Sequence, residues 1–238
     1  MSLRELKSVA LVVLVLFVVL PISNVGYAGV ITISAIDSGH YSAGGTHQPT
    51  NLNYAVGGSG IFRDFFVFDL TNVSGKILNA HLRLSNPYNG VFAVNPPETV
   101  AFFDVTTSIS VLRTGGVELI SIFDDLGTGI MFGIRDYDRL DNGFPDGSVS
   151  EVQLNSAALQ DLNVTKGGLW AIGGSLLTQD AEDHVFGFTP NDGLGTTREL
   201  VLNVDSPIPE PTSLTLLGIG ALSLFGYGWR RKKANVKK

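Results

Sequence analysis

The chain has 238 residues and a mass of 25.4 kDa, enough for one sizeable folded core with short appendages; having no cysteine, it has neither disulfide cross-links nor thiol chemistry. Its net charge of −6 understates the acidity of the middle, because between Gly29 and Ile208 only 8 basic residues face 20 acidic ones, a net of −12. That excludes the basic face that nucleic-acid binding needs.

The mean hydropathy of +0.25 is high for a chain with 16% charged residues, and the apolar excess sits at the two ends. At the first end, Arg4 and Lys7 precede an uncharged apolar run from Val9 to Leu20, which Pro21 closes. Twelve such residues are too few to cross a bilayer, which takes roughly 17–25, and suit the core of a secretion signal, about 7–15. Gly26 and Ala28 put small side chains where a signal peptidase reads them, so residues 1–28 are expected to be a signal peptide cut between Ala28 and Gly29. The alternative is an uncleaved N-terminal anchor.

Residues 29–206 read as an all-β body. Strands are expected at Val30–Ile36, Arg63–Leu70, Lys76–Ser85, Val100–Val105, Ile130–Ile134, Ser148–Leu154, Gly168–Ile172, His184–Phe188 and Arg198–Val204. In Arg63–Leu70, Phe65 and Val67 face one way and Phe66, Phe68 and Leu70 the other, as in a central strand covered on both sides. In Lys76–Ser85 the alternation assigns Leu78, Ala80, Leu82 and Leu84 to the buried face and Ile77, Asn79, His81 and Arg83 to the solvated one. Short helices are expected at Leu119–Leu126 and Ser156–Leu162, the latter capped by Asn155 or Ser156. Short strands punctuated by Gly, Asn, Asp and Pro indicate a β-sandwich or jelly roll.

Chemistry-bearing clusters are few. No nucleophile elbow, His-Glu-x-x-His run or phosphate loop is present. His40 and His47 with Asp37 could approach a metal, but their spacing fits no standard zinc pattern. The loop from Asp136 to Gly147 carries Asp136, Asp138, Asp141 and Asp146, oxygen ligands suited to Ca²⁺, although Leu140 interrupts the EF-hand order; the plainer reading is a solvated loop. Trp170 is expected in the core, leaving Tyr41, Tyr54, Tyr88 and Tyr137 as candidate sugar-stacking rings.

At the other end, Ser206-Pro207-Ile208-Pro209-Glu210-Pro211 is an extended segment, because three prolines remove donors and disfavour helix in their predecessors. From Ser213 to Trp229 no residue is charged, and as a helix this stretch would reach about 25 Å, the short end of a bilayer span. Arg230, Arg231, Lys232 and Lys233 open a basic tail that stops transfer and stays cytoplasmic, which puts the acidic body on the exported side. The expected organisation is therefore a signal peptide, a body at 29–206, and a segment at 207–238 with a transmembrane helix at 213–229 and a basic tail at 230–238.

Pro-Glu-Pro at Pro209, Glu210 and Pro211, a glycine-bearing hydrophobic stretch and an Arg-rich end resemble the PEP-CTERM sorting signal of Gram-negative bacteria. The resemblance implies that an exosortase, a membrane-embedded processing enzyme, reads Pro209, Glu210 and Pro211, often in organisms that make exopolysaccharide; the alternative is a plain single-span anchor with a proline-rich stalk. Arg63–Leu70 followed by Gly75–Leu84 resembles a hairpin of DNRLRE-type surface domains, some of which bind carbohydrate. The chain is thus expected to be an exported, non-catalytic surface or matrix protein associated with exopolysaccharide. It would be handled by signal peptidase and exosortase, would be held transiently in the inner membrane by its C-terminal helix, and would not bind nucleic acid. The alternative is an envelope-anchored carbohydrate-active enzyme or carbohydrate-binding module.

Overall fold

The computed structural model describes residues 27–86, 91–93, 97–138, 148–180, 182–186, 197–206 and 220. Ala28–Asp205 forms one compact unit. Its elements in chain order are β1 (Tyr27–Ser34), β2 (Asp37–Tyr41), β3 (Val56–Gly57), β4 (Arg63–Asp69), β5 (Lys76–Ser85), β6 (Val91–Phe92), β7 (Glu98–Asp104), α1 (Ile109–Leu112), α2 (Ile120–Asp125), β8 (Met131–Tyr137), β9 (Val149–Gln153), α3 (Ser156–Thr165), β10 (Leu169–Leu176), β11 (His184–Val185) and β12 (Arg198–Ser206). The body is mostly strand, as the alternating patterns require.

The strands form a four-stranded sheet in the order β1-β12-β5-β9, a five-stranded sheet β2-β4-β10-β7-β8, and a small sheet β3-β11-β6. One cluster of buried side chains draws on both larger sheets: Ala80, Leu82, Leu84, Leu200 and Leu202 from the first, and Phe66, Phe68, Phe102, Trp170 and Ile172 from the second. Burying each large apolar side chain contributes about 1.5–3 kcal/mol. On the other side of β4, Phe65 and Val67 pack with Leu112 of α1, Ile122 and Phe123 of α2, and Leu126. The two-sided covering expected for β4 is what the structure has, and short helices do the covering on one side.

Three expectations need correction. First, β4 and β5 are not a hairpin: β4 pairs with β2 and β10, and β5 with β12 and β9, so the chain crosses from one sheet to the other between them. Each strand buries an apolar face in the same core, which pairing edge to edge in one sheet would not require. Second, Ile77 is buried and Leu78 is 48% exposed, the reverse of the strict alternation. The register explains this. Asn79 lies opposite Asn203 and Ile77 opposite Val204, so Leu78 is the extra residue of a β-bulge, which shifts the phase by one. Asn163 of α3 holds that bulge, accepting from the Ile77 N–H at 3.0 Å and donating to its carbonyl at 2.9 Å. Third, β2, α1 and the two-residue strands β3 and β6 were not expected as elements at all, and the Ser156 helix runs three residues further than expected, to Thr165. Its cap is Asn155, whose side chain accepts from the N–H groups of Ala157 and Ala158.

Candidate functional site

A pocket of about 360 Å³ opens beside β2, lined by His40, Ser42, Thr46, His47, Gln48, Asn51 and Phe62. Strand β2 places His40 and Tyr41 by pairing with Asp64 and Arg63 of β4. The following loop returns through His47, whose backbone exchanges hydrogen bonds with Gly116. His40 Nδ1 lies 2.8 Å from the Asn53 carbonyl oxygen, and His47 Nδ1 lies 3.0 Å from that of His40. A carbonyl only accepts, so each Nδ1 carries the hydrogen. Burial pushes both imidazoles below their usual pKa, so both rings are neutral at neutral pH. The His40 ring also meets Phe62 edge-on, with centroids 4.6 Å apart. The lining combines hydroxyl, amide and imidazole groups with one aromatic ring and contains no carboxylate.

Asp37 does not complete a metal triad with these histidines. Its carboxylate accepts from Arg113 Nε at 2.5 Å. Among the described residues no group of three or more His, Asp or Glu side chains is arranged to hold a metal ion. Of the acidic loop, Asp136 lies in β8 and accepts from the Thr99 hydroxyl at 2.7 Å. Asp138 follows that strand, while Asp141 and Asp146 lie outside the described residues. Trp170 is 2% exposed, as expected of a core residue, and its Nε1 donates to Asp161 at 2.7 Å. Tyr41, Tyr54 and Tyr137, by contrast, are 2% exposed or less, so none of the three is a stacking platform. Their hydroxyls reach inward, that of Tyr41 to the Leu112 carbonyl and that of Tyr54 to the Ser85 carbonyl. Tyr88 lies outside the described residues.

Two buried acidic features escaped the sequence reading. Asp64 is fully buried in β4, and neither carboxyl oxygen has a well-formed hydrogen bond. Burial raises its pKa well above the carboxylate range, the nearby N–H groups of Asp64 and Gly174 opposing only in part. The signal was present: Asp64 is in phase with Phe66 and Phe68, the face destined for the core. The second feature joins Glu98 of β7 to Asp183, which precedes β11; the two are 0% and 1% exposed and in side-chain contact. Glycosidase carboxylates stand roughly 5–9.5 Å apart across an open cleft, so this closed contact pair does not have that arrangement.

Ala28 and Gly29 both lie in β1. Pro209, Glu210 and Pro211, the stretch expected to span the membrane apart from Gly220, and Arg230, Arg231, Lys232 and Lys233 lie outside the described residues. Among the described residues no helix is long and apolar enough to cross a membrane. It is the comparison with known proteins that speaks to this end. The model of the PEP-CTERM protein-sorting motif matches residues 207–232, which include Pro209, Glu210 and Pro211. The chain therefore carries a PEP-CTERM sorting motif, the mark of an exported protein that an exosortase processes and that is sorted to the envelope or surface. No curated protein matches the chain.

Proposed function

With the sorting motif as premise, we propose that this is a non-catalytic surface or matrix protein of a Gram-negative bacterium, associated with exopolysaccharide. Signal peptidase removes residues 1–28. The stretch 213–229 holds the chain in the inner membrane with the body on the periplasmic side and Arg230–Lys233 inside, until exosortase acts near Pro209, Glu210 and Pro211. The body is a β-sandwich of the jelly-roll kind; the core shared by the two larger sheets supports this. The pocket around His40, Gln48, Asn51 and Phe62 suits a saccharide, since its hydroxyl, amide and imidazole groups match sugar hydroxyls and its ring offers an apolar face. The lack of a carboxylate there favours binding over glycoside hydrolysis.

The single observation that carries this reading is the match of the sorting motif at residues 207–232. Its test is Glu210→Ala in the native host. This change barely alters the anchoring hydropathy, so a passive stalk would behave as before, whereas a recognised motif leaves the variant uncut in the inner membrane. Equal release of wild type and variant from membranes would refute the sorting step.

A further inference from the structure

The two larger sheets have four edge strands, β1 and β9 in one and β2 and β8 in the other. The chain itself closes three of them. β8 and β9 lie against each other: Arg135 donates to the Glu151 carbonyl at 2.6 Å, and the N–H of Asn155, just past β9, donates to the Phe132 carbonyl at 2.8 Å. β2 is crossed by the segment at Leu52 and Asn53, whose carbonyls meet the Ser38 hydroxyl and the His40 ring. Among the described residues no strand pairs with the outer edge of β1.

The hydrogen-bonding groups of that edge can be assigned. The Ala35 N–H donates to the Arg198 carbonyl at 2.8 Å, while the next one, of Ile36, turns the other way to the Val67 carbonyl. Backbone groups alternate sides along a strand, so those of Ile31 and Ile33 face β12 and those of Val30, Thr32 and Ser34 face outward. The side chains of Ile31 and Ile33 pack against the main core yet are only half-buried, and Val30, on the other face, is 68% exposed. From Gly29 to Ile36 there is neither a charged residue nor a proline, two of the devices that ordinarily keep an edge strand from pairing. In a body with a net charge of −12, this is a stretch where two copies can meet without opposing carboxylates.

We propose that β1 pairs antiparallel with β1 of a second copy of this chain, about a two-fold axis at Thr32, and so joins two four-stranded sheets into one of eight strands. In this register Thr32 exchanges both of its outward hydrogen bonds with the partner's Thr32, and Val30 pairs with the partner's Ser34. On the inner face Ile31 stands opposite the partner's Ile33, so side chains that each core leaves partly in water cover one another. A two-fold interface uses one surface twice, and β1 is complementary to itself, which favours a copy of the chain over an unrelated extended peptide. The pairing uses residues 30–34 alone, so cleavage after Ala28 leaves it intact.

The chain has no cysteine, so a single introduced thiol reports its own neighbourhood. Full-length Thr32→Cys and Val164→Cys, each expressed with two different affinity tags, are reduced in membranes and treated with a short bismaleimide; Val164, on α3, is 80% exposed and serves as the control. Paired hydrogen-bonded residues stand about 5.5 Å apart, so Thr32→Cys should give a product of twice the monomer mass that carries both tags, and Val164→Cys should not. Adding Ser34→Pro removes an outward N–H without touching the bonds to β12, and the product should be lost. If that variant fails to fold, the contrast between Thr32→Cys and Val164→Cys still decides. No product from Thr32→Cys, a product of another mass, equal yields from the two thiols, or a product that survives Ser34→Pro in a folded chain would each overturn the proposal.

Discussion

Replacing Asp64 by Asn isolates one buried titration. Asp64 lies on β4 between His40 of β2 and Gly174 of β10, fully buried, with its carboxyl facing the aromatic core. Its folded pKa is raised well above the reference value of 3.8, so the native state keeps the proton to higher pH than the unfolded chain does. The contribution of this proton to stability is complete below about pH 3.8 and is lost as pH rises towards the folded pKa. One pKa unit corresponds to about 1.36 kcal/mol, so across that window the wild type should lose up to about 1.4 kcal/mol per pH unit relative to Asp64→Asn, which has the same shape and cannot ionise. Taking the difference between the two proteins cancels every other group, including the carboxylates whose pKa hydrogen bonds lower, Asp69 and Asp125. The assay is urea unfolding from pH 3.5 to pH 8, read by the fluorescence of buried Trp170. The variant should gain on the wild type steadily above about pH 4. Parallel stability curves, or a variant that gains towards acid pH, would refute the reasoning.

The other predictions concern packing and processing. Asn163→Ala removes both hydrogen bonds to Ile77 and the one to the Leu159 carbonyl, and with roughly 1–3 kcal/mol per stranded buried group it should cost about 2–4 kcal/mol in urea unfolding; a loss below about 1 kcal/mol would mean the bulge holds itself. Gly173→Ala would set a Cβ 2.7 Å from the Leu126 carbonyl oxygen and 2.8 Å from its Cα, both rigid backbone. A lowered Tm and a cost of about 1–3 kcal/mol are expected, and an unchanged Tm would contradict the close packing of β10 against the end of α2. N-terminal sequencing of the exported protein should begin at Gly29, and recovery of chains beginning at Met1 would instead indicate an uncleaved anchor.

By itself the sequence determined what local pattern and composition can carry. Period-2 alternation identified most of the longer strands and both faces of β4, because the consecutive large apolar residues Phe65, Phe66, Val67 and Phe68 can all leave water only if both faces are covered. The cap of the Ser156 helix was readable to within one residue, Asn155 or Ser156, because a capping side chain serves N–H groups two and three residues ahead; the structure decides for Asn155. The sorting motif was readable for the same reason: Pro-Glu-Pro, an apolar stretch and a basic end are contiguous, and their meaning does not depend on folding.

Tertiary structure decided whatever depends on residues far apart in the chain. Whether Leu78 or Ile77 is buried hangs on a bulge held by Asn163, 86 residues away from Ile77, which no alternation rule can see. That β4 and β5 lie in different sheets was hidden because a hairpin and a crossover bury the same faces. The contact of Glu98 with Asp183 required the β10–β11 turn to fold back over β7, and the pocket at His40 required the Asn53 carbonyl to arrive from the loop beyond β2. Charge and hydropathy are properties of single residues and neighbours, so they are written along the chain; desolvation and contact between distant groups exist only once the sheets have closed over them.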